Sequence, residues 1–210
     1  MSDTALAADR VFHNAHQLFA QHRIKNQRHL RFLNRSAEKF VFNKPMPTFL
    51  KLTNNRKSVG EKLPTIDLFE DSPANKVNLG KIAAGKKIVV FGVPGAFTPG
   101  CSKTHLPGYI QKADELKSKG VAEIFCISVN DPFVMAAWGK EHGAEGKVRM
   151  LADPAAQFTD ALELSVDLPV LGGKRSKRYS MILEDGMIKE LNVEPDNTGL
   201  SCSLVQNIKL

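Results

Sequence analysis

Cysteine is scarce in this sequence. The 210 residues include only Cys101, Cys126 and Cys202. Three scattered cysteines are too few for the disulfide framework of a small secreted domain, and they favour a reducing compartment. The sequence has no CxxC pair and no cysteine and histidine set at zinc-ligand spacing, which argues against a thioredoxin-type dithiol and a structural zinc. We therefore predict neither a bound metal nor a cofactor.

Long apolar runs are also missing. No stretch approaches the roughly 20 apolar residues that a membrane-spanning helix requires, so we expect no membrane partner. With 42% hydrophobic and 24% charged residues, the composition is typical of a soluble globular protein. The length suits one domain of average size with a short extension, rather than two full domains.

The excess of positive charge lies at one end of the chain. The formal net charge is +7, yet residues 1–60 alone hold eleven Lys and Arg against three acidic residues, so the remainder is close to neutral. A nucleic-acid function would have to reside in that segment, and we predict no nucleic-acid partner. We expect residues 1–57 to form a basic, largely disordered extension and residues 58–210 to form the folded domain.

The extension contains apolar residues at helical spacing among His and Arg: Val11, Phe12, Ala15, Leu18 and Phe19. An amphipathic, Arg-rich helix is typical of a mitochondrial targeting segment. Asp3 and Asp9 count against this interpretation because such segments are poor in acids, and a disordered basic tail is the alternative.

We predict a mitochondrial location. The cytoplasm is the alternative for the domain alone, and a peroxisomal location has weak support because the terminal Ile-Lys-Leu only partly matches Ser-Lys-Leu.

From Lys62 onward, strand and helix patterns alternate. Strands are predicted over residues 63–70, 86–93, 121–129 and 148–154, and the third is apolar on both faces, as a central strand would be. Asp131 and Pro132 predict a helix start. Asp185 and Gly186 join two strand-like runs in a hairpin. The sequence therefore predicts an α/β fold with a central mixed sheet flanked by helices and a terminal β-hairpin.

The loop VPGAFTPGC, residues 93–101, separates a predicted strand from a predicted helix. The helix has an apolar stripe formed by Leu106, Tyr109, Ile110, Ala113 and Leu116. Gly120 suits the position just beyond its end. Pro107 either kinks this helix or belongs to its first turn.

Cys101 ends the loop at the predicted helix start. Unpaired backbone N–H groups and the positive end of the helix dipole favour a thiolate there. We therefore expect this position to lower the pKa of Cys101, which makes Cys101 the candidate nucleophile.

The residues before Cys101 complete a candidate pocket. The hydroxyl of Thr98 can point back to the sulfur and can both donate and accept a hydrogen bond. Pro94 and Pro99 stiffen the loop and lack N–H donors, while Gly100 lets the backbone approach a small ligand. Such a pocket suits a compact polar group with two oxygens. The alternative is a tight connection between strand and helix with no chemical role.

The segment PGAFTPGC matches the pattern Pro-x-x-x-Thr-x-x-Cys, and with it the sequence resembles the peroxiredoxins. The atypical two-cysteine type, represented by peroxiredoxin-5, is the most similar. The resemblance continues through SVNDPFV, WGKEHGAEGKVRMLADP, KRYSMILEDG and LNVEPDNTGLSCS, and it covers residues 58–210. It implies a thioredoxin-like fold and a thiol-dependent peroxidase active in antioxidant defence and redox homeostasis.

The resemblance also implies roles for single residues. Cys101 would be the peroxidatic cysteine and Pro94 its shield. Arg178, in KRYSM, would neutralise the thiolate and bind the peroxide together with Thr98 and Gly100. The substrates would be hydrogen peroxide and alkyl hydroperoxides, with peroxynitrite as a further candidate.

After peroxide attack, Cys101 would carry a sulfenic acid. The resemblance implies that Cys202 resolves it through an intramolecular disulfide that thioredoxin reduces. A disulfide needs Cα atoms within about 7 Å, so we expect local unfolding before two such distant cysteines meet. The family allows a monomer or a weak homodimer.

Several positions keep alternatives open. Arg178 has three basic neighbours, Lys174, Arg175 and Lys177, and residue type alone does not choose among them. His105, one turn after Cys101, permits a protease-like Cys/His pair, although no Asn or Asp partner is identifiable. Cys126 lies in an apolar run and is predicted to be an inert buried thiol. Asn197 stands where glycine is usual, but asparagine tolerates left-handed backbone.

The residues alone also allow two other functions. One is a glutaredoxin-type monothiol oxidoreductase acting through CSKT, which would need glutathione and would leave Cys202 without a role. The other is a binding or chaperone module that acts through the basic extension. The segment LSVDLPVLGG, residues 164–173, leaves the substrate preference open.

Overall fold

The computed structural model describes residues 59–210, and the predicted extension with its targeting helix lies outside them. The strands are β1 (Leu68–Glu70), β2 (Ser72–Val77), β3 (Lys87–Gly92), β4 (Val121–Ser128), β5 (Arg149–Ala152), β6 (Ser165–Leu168), β7 (Gly173–Ser176), β8 (Tyr179–Glu184) and β9 (Met187–Val193). The α-helices are α1 (Leu79–Ile82), α2 (Leu106–Ser118), α3 (Pro132–Glu141) and α4 (Gln157–Ala161), and a π-helical turn, Cys101–His105, leads into α2.

Seven of the described strands form one sheet in the order β2-β1-β5-β4-β3-β8-β9. The pairs β3/β4 and β4/β5 are parallel, whereas β1/β5, β3/β8 and β8/β9 are antiparallel. The predicted mixed sheet is confirmed. So is the terminal hairpin, in which Asp185 and Gly186 have positive φ values of 50° and 73°, as a two-residue turn between twisted strands requires.

Both faces of the central strands are covered. On β3, Val89 and Phe91 face one apolar cluster with α2 and α3, whereas Ile88 and Val90 face a second cluster with α1 and α4. All four side chains are fully buried. This explains why β3 and β4 read as continuous apolar runs instead of alternating ones.

The predicted helix signals are confirmed. The side chain of Asp131 accepts a hydrogen bond from the N–H of Val134 at 3.0 Å and caps α3. The five stripe residues of α2 are all buried, and Gly120 follows the helix with a φ of 89°. Pro107 belongs to the first turn of α2, directly after the wider π-helical turn.

The first predicted strand is only partly correct. Regular pairing starts at Leu68 instead of residue 63, and β2, which pairs with it, was not predicted. The β2 sequence SPANKV is mostly exposed and contains Pro73. A polar segment with proline can still form a strand at the edge of a sheet, where one side needs no partner, but it carries no alternating apolar signal.

Among the described residues, no helix is long and apolar enough to cross a membrane. Within that same part of the chain, no three His, Cys, Asp or Glu side chains are grouped so that they could hold a metal ion.

Candidate active site

The loop after β3 is tied to the end of β4. The side-chain oxygen of Asn130 accepts hydrogen bonds from the N–H of Ala96 at 3.1 Å and from the hydroxyl of Ser128 at 2.7 Å. Pro94, two residues after β3, is buried. Phe97 has a φ of 60°, which non-glycine residues adopt rarely. The loop is therefore a stiff, partly strained connection that fixes the start of the following helix.

Cys101 lies in the first turn of the helical segment, and its side chain is fully buried. Helical backbone begins two residues earlier, at Pro99, and the N–H of Ser102 donates to the carbonyl oxygen of Thr98 at 2.9 Å. The predicted placement near the helix start is confirmed, although Cys101 is not the first helical residue.

The hydroxyl of Thr98 contacts the sulfur of Cys101. Its Oγ1 lies 2.8 Å from Cys101 Sγ and 3.0 Å from the carbonyl oxygen of Gly95. A hydroxyl donates one hydrogen and can also accept one. With a thiol, the S–H can donate to Oγ1 while the hydroxyl donates to Gly95, and with a thiolate the hydroxyl hydrogen can turn to the sulfur. Thr98 can therefore follow a change of charge on Cys101.

Arg178, just before β8, brings a positive charge to the same sulfur. Its Nη1 donates to Cys101 Sγ at 3.3 Å, and the side chain is 4% exposed. The Nε donates to the carbonyl oxygen of Thr198 at 3.0 Å, and the backbone N–H donates to that of Asn197 at 2.7 Å. A guanidinium held this firmly can stabilise negative charge that develops beside the sulfur.

The basic neighbours of Arg178 bind elsewhere: Lys174 pairs with Asp160 at 2.8 Å, Arg175 donates to the carbonyl oxygen of Val129 at 2.9 Å, and Lys177 donates to that of Glu163 at 3.4 Å. The geometry therefore distinguishes Arg178 from the three rivals that residue type left open.

Gly100 faces the guanidinium. A Cβ atom at this position would lie 3.3 Å from Arg178 Nη2 and 3.3 Å from Leu200 Cδ1. Glycine therefore leaves the space beside the cation free of a side chain, and the binding of a small ligand there stays a prediction.

His105 is 1% exposed and connects Arg178 to the C-terminal segment. Its Nδ1 lies 3.3 Å from Arg178 Nη1, and its Nε2 lies 3.1 Å from the carbonyl oxygen of Ser203. Because guanidinium only donates, Nδ1 accepts and the hydrogen resides on Nε2. Burial lowers the pKa of His105 to about 4, and the charge of Arg178 acts in the same direction. With both nitrogens engaged, the ring has none left to act as the base of a protease-like pair.

Glu194, directly after β9, holds the residues on either side of Cys202. Its carboxylate accepts hydrogen bonds from the N–H and hydroxyl of Ser201 and from the N–H and hydroxyl of Ser203. Burial acts to raise the pKa of Glu194, but these hydrogen bonds outweigh it and lower the pKa to about 2. Burial and the negative Glu194 raise the pKa of Cys202.

The three cysteines are free thiols. Cys202 is partly exposed, whereas Cys126 on β4 is fully buried beside Phe91 of β3. Burial, followed by the proximity of Cys101, raises the pKa of Cys126 well above its usual range. The prediction that Cys126 is a buried thiol is confirmed.

A family model described as Redoxin matches residues 58–207. Peroxiredoxin-2B of Arabidopsis thaliana is 49% identical over 141 residues, which cover 65% of this chain and 87% of the relative. This chain belongs to the peroxiredoxin family. It is therefore a thiol-dependent peroxidase, an oxidoreductase with an antioxidant role, as the sequence indicated.

Solved peroxiredoxin structures have the same fold. Reduced Prx3 of Vibrio vulnificus in complex with hydrogen peroxide is 46% identical with a TM-score of 0.67, over 71% of this chain and 95% of that one. Peroxiredoxin 5 of Alvinella pompejana is 44% identical with a TM-score of 0.62, over 69% of this chain and 94% of that one. The thioredoxin-like fold of this peroxiredoxin is thus confirmed.

Asn197 keeps the turn that glycine usually forms in the peroxiredoxin-5 type. Its φ is 71°, in the left-handed region that asparagine tolerates. Its carbonyl oxygen accepts the hydrogen bond from the N–H of Arg178, so this turn also supports the position of the active-site cation.

Sequence reasoning missed two residues around the peroxiredoxin site. His105 was considered only as a partner of Cys101, and Glu194 was not singled out at all. A histidine one turn beyond the nucleophile and a glutamate in the EPDNTGLSCS run were visible signals. Their partners, Arg178 and the serines beside Cys202, are distant in sequence or lie in a different element. The sequence therefore does not show that these residues are in contact.

Proposed function

We propose that this peroxiredoxin reduces hydrogen peroxide and alkyl hydroperoxides at Cys101, with peroxynitrite as a third oxidant. The observation that carries the proposal is the convergence on one sulfur of the Thr98 hydroxyl at 2.8 Å and the Arg178 guanidinium at 3.3 Å. A hydrogen-bonding hydroxyl and a fixed cation suit a displacement in which negative charge moves from sulfur to oxygen.

In the first step, the Cys101 thiolate attacks one oxygen of the peroxide. The S–O bond forms as the O–O bond breaks, so sulfur is oxidised to a sulfenic acid and the peroxide is reduced by two electrons. The departing hydroxide or alkoxide takes up a proton and leaves as water or alcohol. Thr98 and Arg178 stabilise the charge during transfer, and the open space at Gly100 admits the peroxide.

In the second step, the Cys202 thiolate attacks the sulfenic sulfur. A Cys101–Cys202 disulfide forms, and the sulfenic oxygen leaves with a proton as water. Thioredoxin then reduces this disulfide by dithiol exchange. The Cys101 side chain is fully buried in the reduced protein, and we expect this step to involve local rearrangement of the helix start, the Cys202 segment or both.

A thioredoxin-coupled peroxidase assay on the full chain tests both steps. Cys101→Ser should abolish peroxide consumption. Cys202→Ser should greatly reduce thioredoxin-coupled turnover while still allowing one oxidation of Cys101, and Cys126→Ser should retain activity as the matched cysteine control. Turnover by Cys101→Ser would contradict the assignment of the nucleophile, and glutathione replacing thioredoxin with no need for Cys202 would favour a monothiol mechanism.

The location and assembly of the enzyme are part of the proposal. The basic residues 1–57 support import into mitochondria, which a fluorescent fusion with and without these residues would test. The family resemblance supports a monomer or a weak homodimer, and sedimentation over a concentration series would distinguish the two.

A further inference from the structure

The segment that carries Cys202 is held by a buried carboxylate. Glu194 is 2% exposed, and its Oε1 accepts from the N–H of Ser201 at 2.7 Å, the N–H of Ser203 at 2.9 Å and the Ser203 hydroxyl at 2.7 Å. Its Oε2 accepts from the Ser201 hydroxyl at 2.5 Å. Four donors from the two residues that flank Cys202 thus converge on one charged acceptor, and such charge-assisted bonds are stronger than neutral ones.

The other side of the segment is held by α2 and the turn before it. The carbonyl oxygen of Ser203 accepts from the hydroxyl of Tyr109 at 2.8 Å and from His105 Nε2 at 3.1 Å. The backbone N–H of Glu194 donates to the carbonyl oxygen of Arg178 at 3.0 Å. The carboxylate therefore acts from a fixed point next to the active-site cation.

Cys202 cannot move far while both of its neighbours keep these contacts. Each neighbouring serine is bound to Glu194 through backbone and side chain, and one residue of chain gives the Cys202 backbone little freedom between them. Cys101, its proposed partner, is fully buried in a helical turn. Release of the serines is thus a prerequisite for any large displacement of Cys202.

We propose that Glu194 is a positioning residue for the second chemical step: its carboxylate latches residues 201–203 in the reduced state, and release of this latch sets the rate at which Cys202 resolves the Cys101 sulfenic acid. The inference rests on the proposed disulfide mechanism and deepens it. The latch also sets the time during which a second peroxide can oxidise the sulfenic acid to sulfinic acid, with reduction of that peroxide to water.

Glu194→Gln weakens the latch and preserves the size of the side chain. The amide is neutral and has one acceptor oxygen instead of two, so the serines lose charge-assisted bonds and the open state becomes more populated. Resolution is the phase of the reaction whose rate does not depend on the peroxide concentration. We expect its rate constant to rise roughly tenfold. The yield of sulfinic acid at high peroxide should fall correspondingly, because resolution and further oxidation compete for the same intermediate.

Rapid mixing of the reduced full chain with hydrogen peroxide measures this directly. Trp138 is the only tryptophan, and its Nε1 donates to the Ser102 hydroxyl at 3.0 Å, next to Cys101, so its fluorescence reports on the helix start. Acid quenching and mass spectrometry identify the sulfenic, sulfinic and disulfide forms. Ser201→Ala, which removes one hydroxyl contact without changing charge, should give a smaller acceleration of roughly threefold.

Glu145→Gln is the matched control, since it removes the same charge from an exposed position and should leave the resolution rate as in the wild type. A resolution phase that is unchanged or slower in natively folded Glu194→Gln and Ser201→Ala overturns the latch. If Glu194→Gln fails to fold, the resolution rate of Ser201→Ala alone tests the latch. If the wild type forms no Cys101–Cys202 disulfide, the proposed resolution itself fails and the latch falls with it.

Discussion

His105 Nδ1 lies 3.3 Å from Arg178 Nη1, the nitrogen that also donates to the sulfur of Cys101. Through Nε2 the same ring binds the carbonyl oxygen of Ser203, in the segment that carries Cys202. A neutral imidazole thus joins the cation of the peroxide site to the segment of the second cysteine. The link exists only while His105 is unprotonated, so the stability of the protein should decrease at acid pH.

The stability of the protein should fall as the pH drops from about 6.5 to about 4. The pKa of His105 decreases from a usual value of 6.5 to about 4 in the folded protein, chiefly through burial. In this window the unfolded chain takes up a proton that the folded chain does not, so acid favours unfolding. We expect a loss of about 3 kcal/mol in the free energy of unfolding from this group, measured by urea denaturation at several pH values.

His105→Gln is the control for this effect, because a neutral amide can accept from Arg178 and donate to Ser203 without titrating. Its unfolding free energy should depend less on pH between 6.5 and 4 than that of the wild type. Arg178 and Glu194 are the charged groups that act on His105, and both are retained in this variant. An equal pH dependence in the two proteins would contradict the role given to His105.

Substitution of Arg178 by lysine should slow the reaction of Cys101 with hydrogen peroxide. Lysine keeps the charge but lacks the planar fork that contacts the sulfur, His105 and the Thr198 carbonyl oxygen together. We expect a loss of roughly 100-fold in the second-order rate constant of the first oxidation, measured by stopped-flow fluorescence. Lys174→Met, which removes a cation engaged with Asp160, should react at close to the wild-type rate.

The hydroxyl of Thr98 can be tested by removing it with little change in shape. Thr98→Val eliminates the contacts with Cys101 Sγ and the Gly95 carbonyl oxygen, and the first oxidation should slow by roughly 100-fold. Thr98→Ser retains a hydroxyl and should stay within a few-fold of the wild type. Equal rates in the valine and serine variants would show that the hydroxyl takes no part in the reaction.

The sequence predicted those contacts of the site that form between residues close together in the chain. Thr98 and Cys101 are one helical turn apart, so their contact follows from the helix start alone, and Asp131 caps α3 for the same reason. Arg178, just before β8, is 77 residues away from Cys101 in the sequence. Its choice over Lys174, Arg175 and Lys177 depended on the resemblance, until the geometry distinguished it.

Features that rest on distant polar contacts were not predictable. Strand β2 has a polar sequence because it lies at the sheet edge, so the apolar periodicity that identifies β3 and β4 is missing there. Glu194 resembles any polar residue after a strand, since only folding brings the donors of Ser201 and Ser203 to its carboxylate. The sequence shows which groups can form hydrogen bonds, but not which of them a buried site brings together.

The space in front of Arg178 should control the size of the peroxide that is accepted. In Gly100→Ala, the added methyl group would stand 3.3 Å from both Arg178 Nη2 and Leu200 Cδ1, so both atoms have to shift slightly. We expect the rate constant to fall roughly tenfold for hydrogen peroxide, and further for a bulky alkyl hydroperoxide such as cumene hydroperoxide. The readout is the ratio of the two rate constants, with Gly108→Ala as the control, because its Cβ would meet only Val205 at an ordinary 3.5 Å. An unchanged ratio in Gly100→Ala would mean that the peroxide approaches Cys101 from another side.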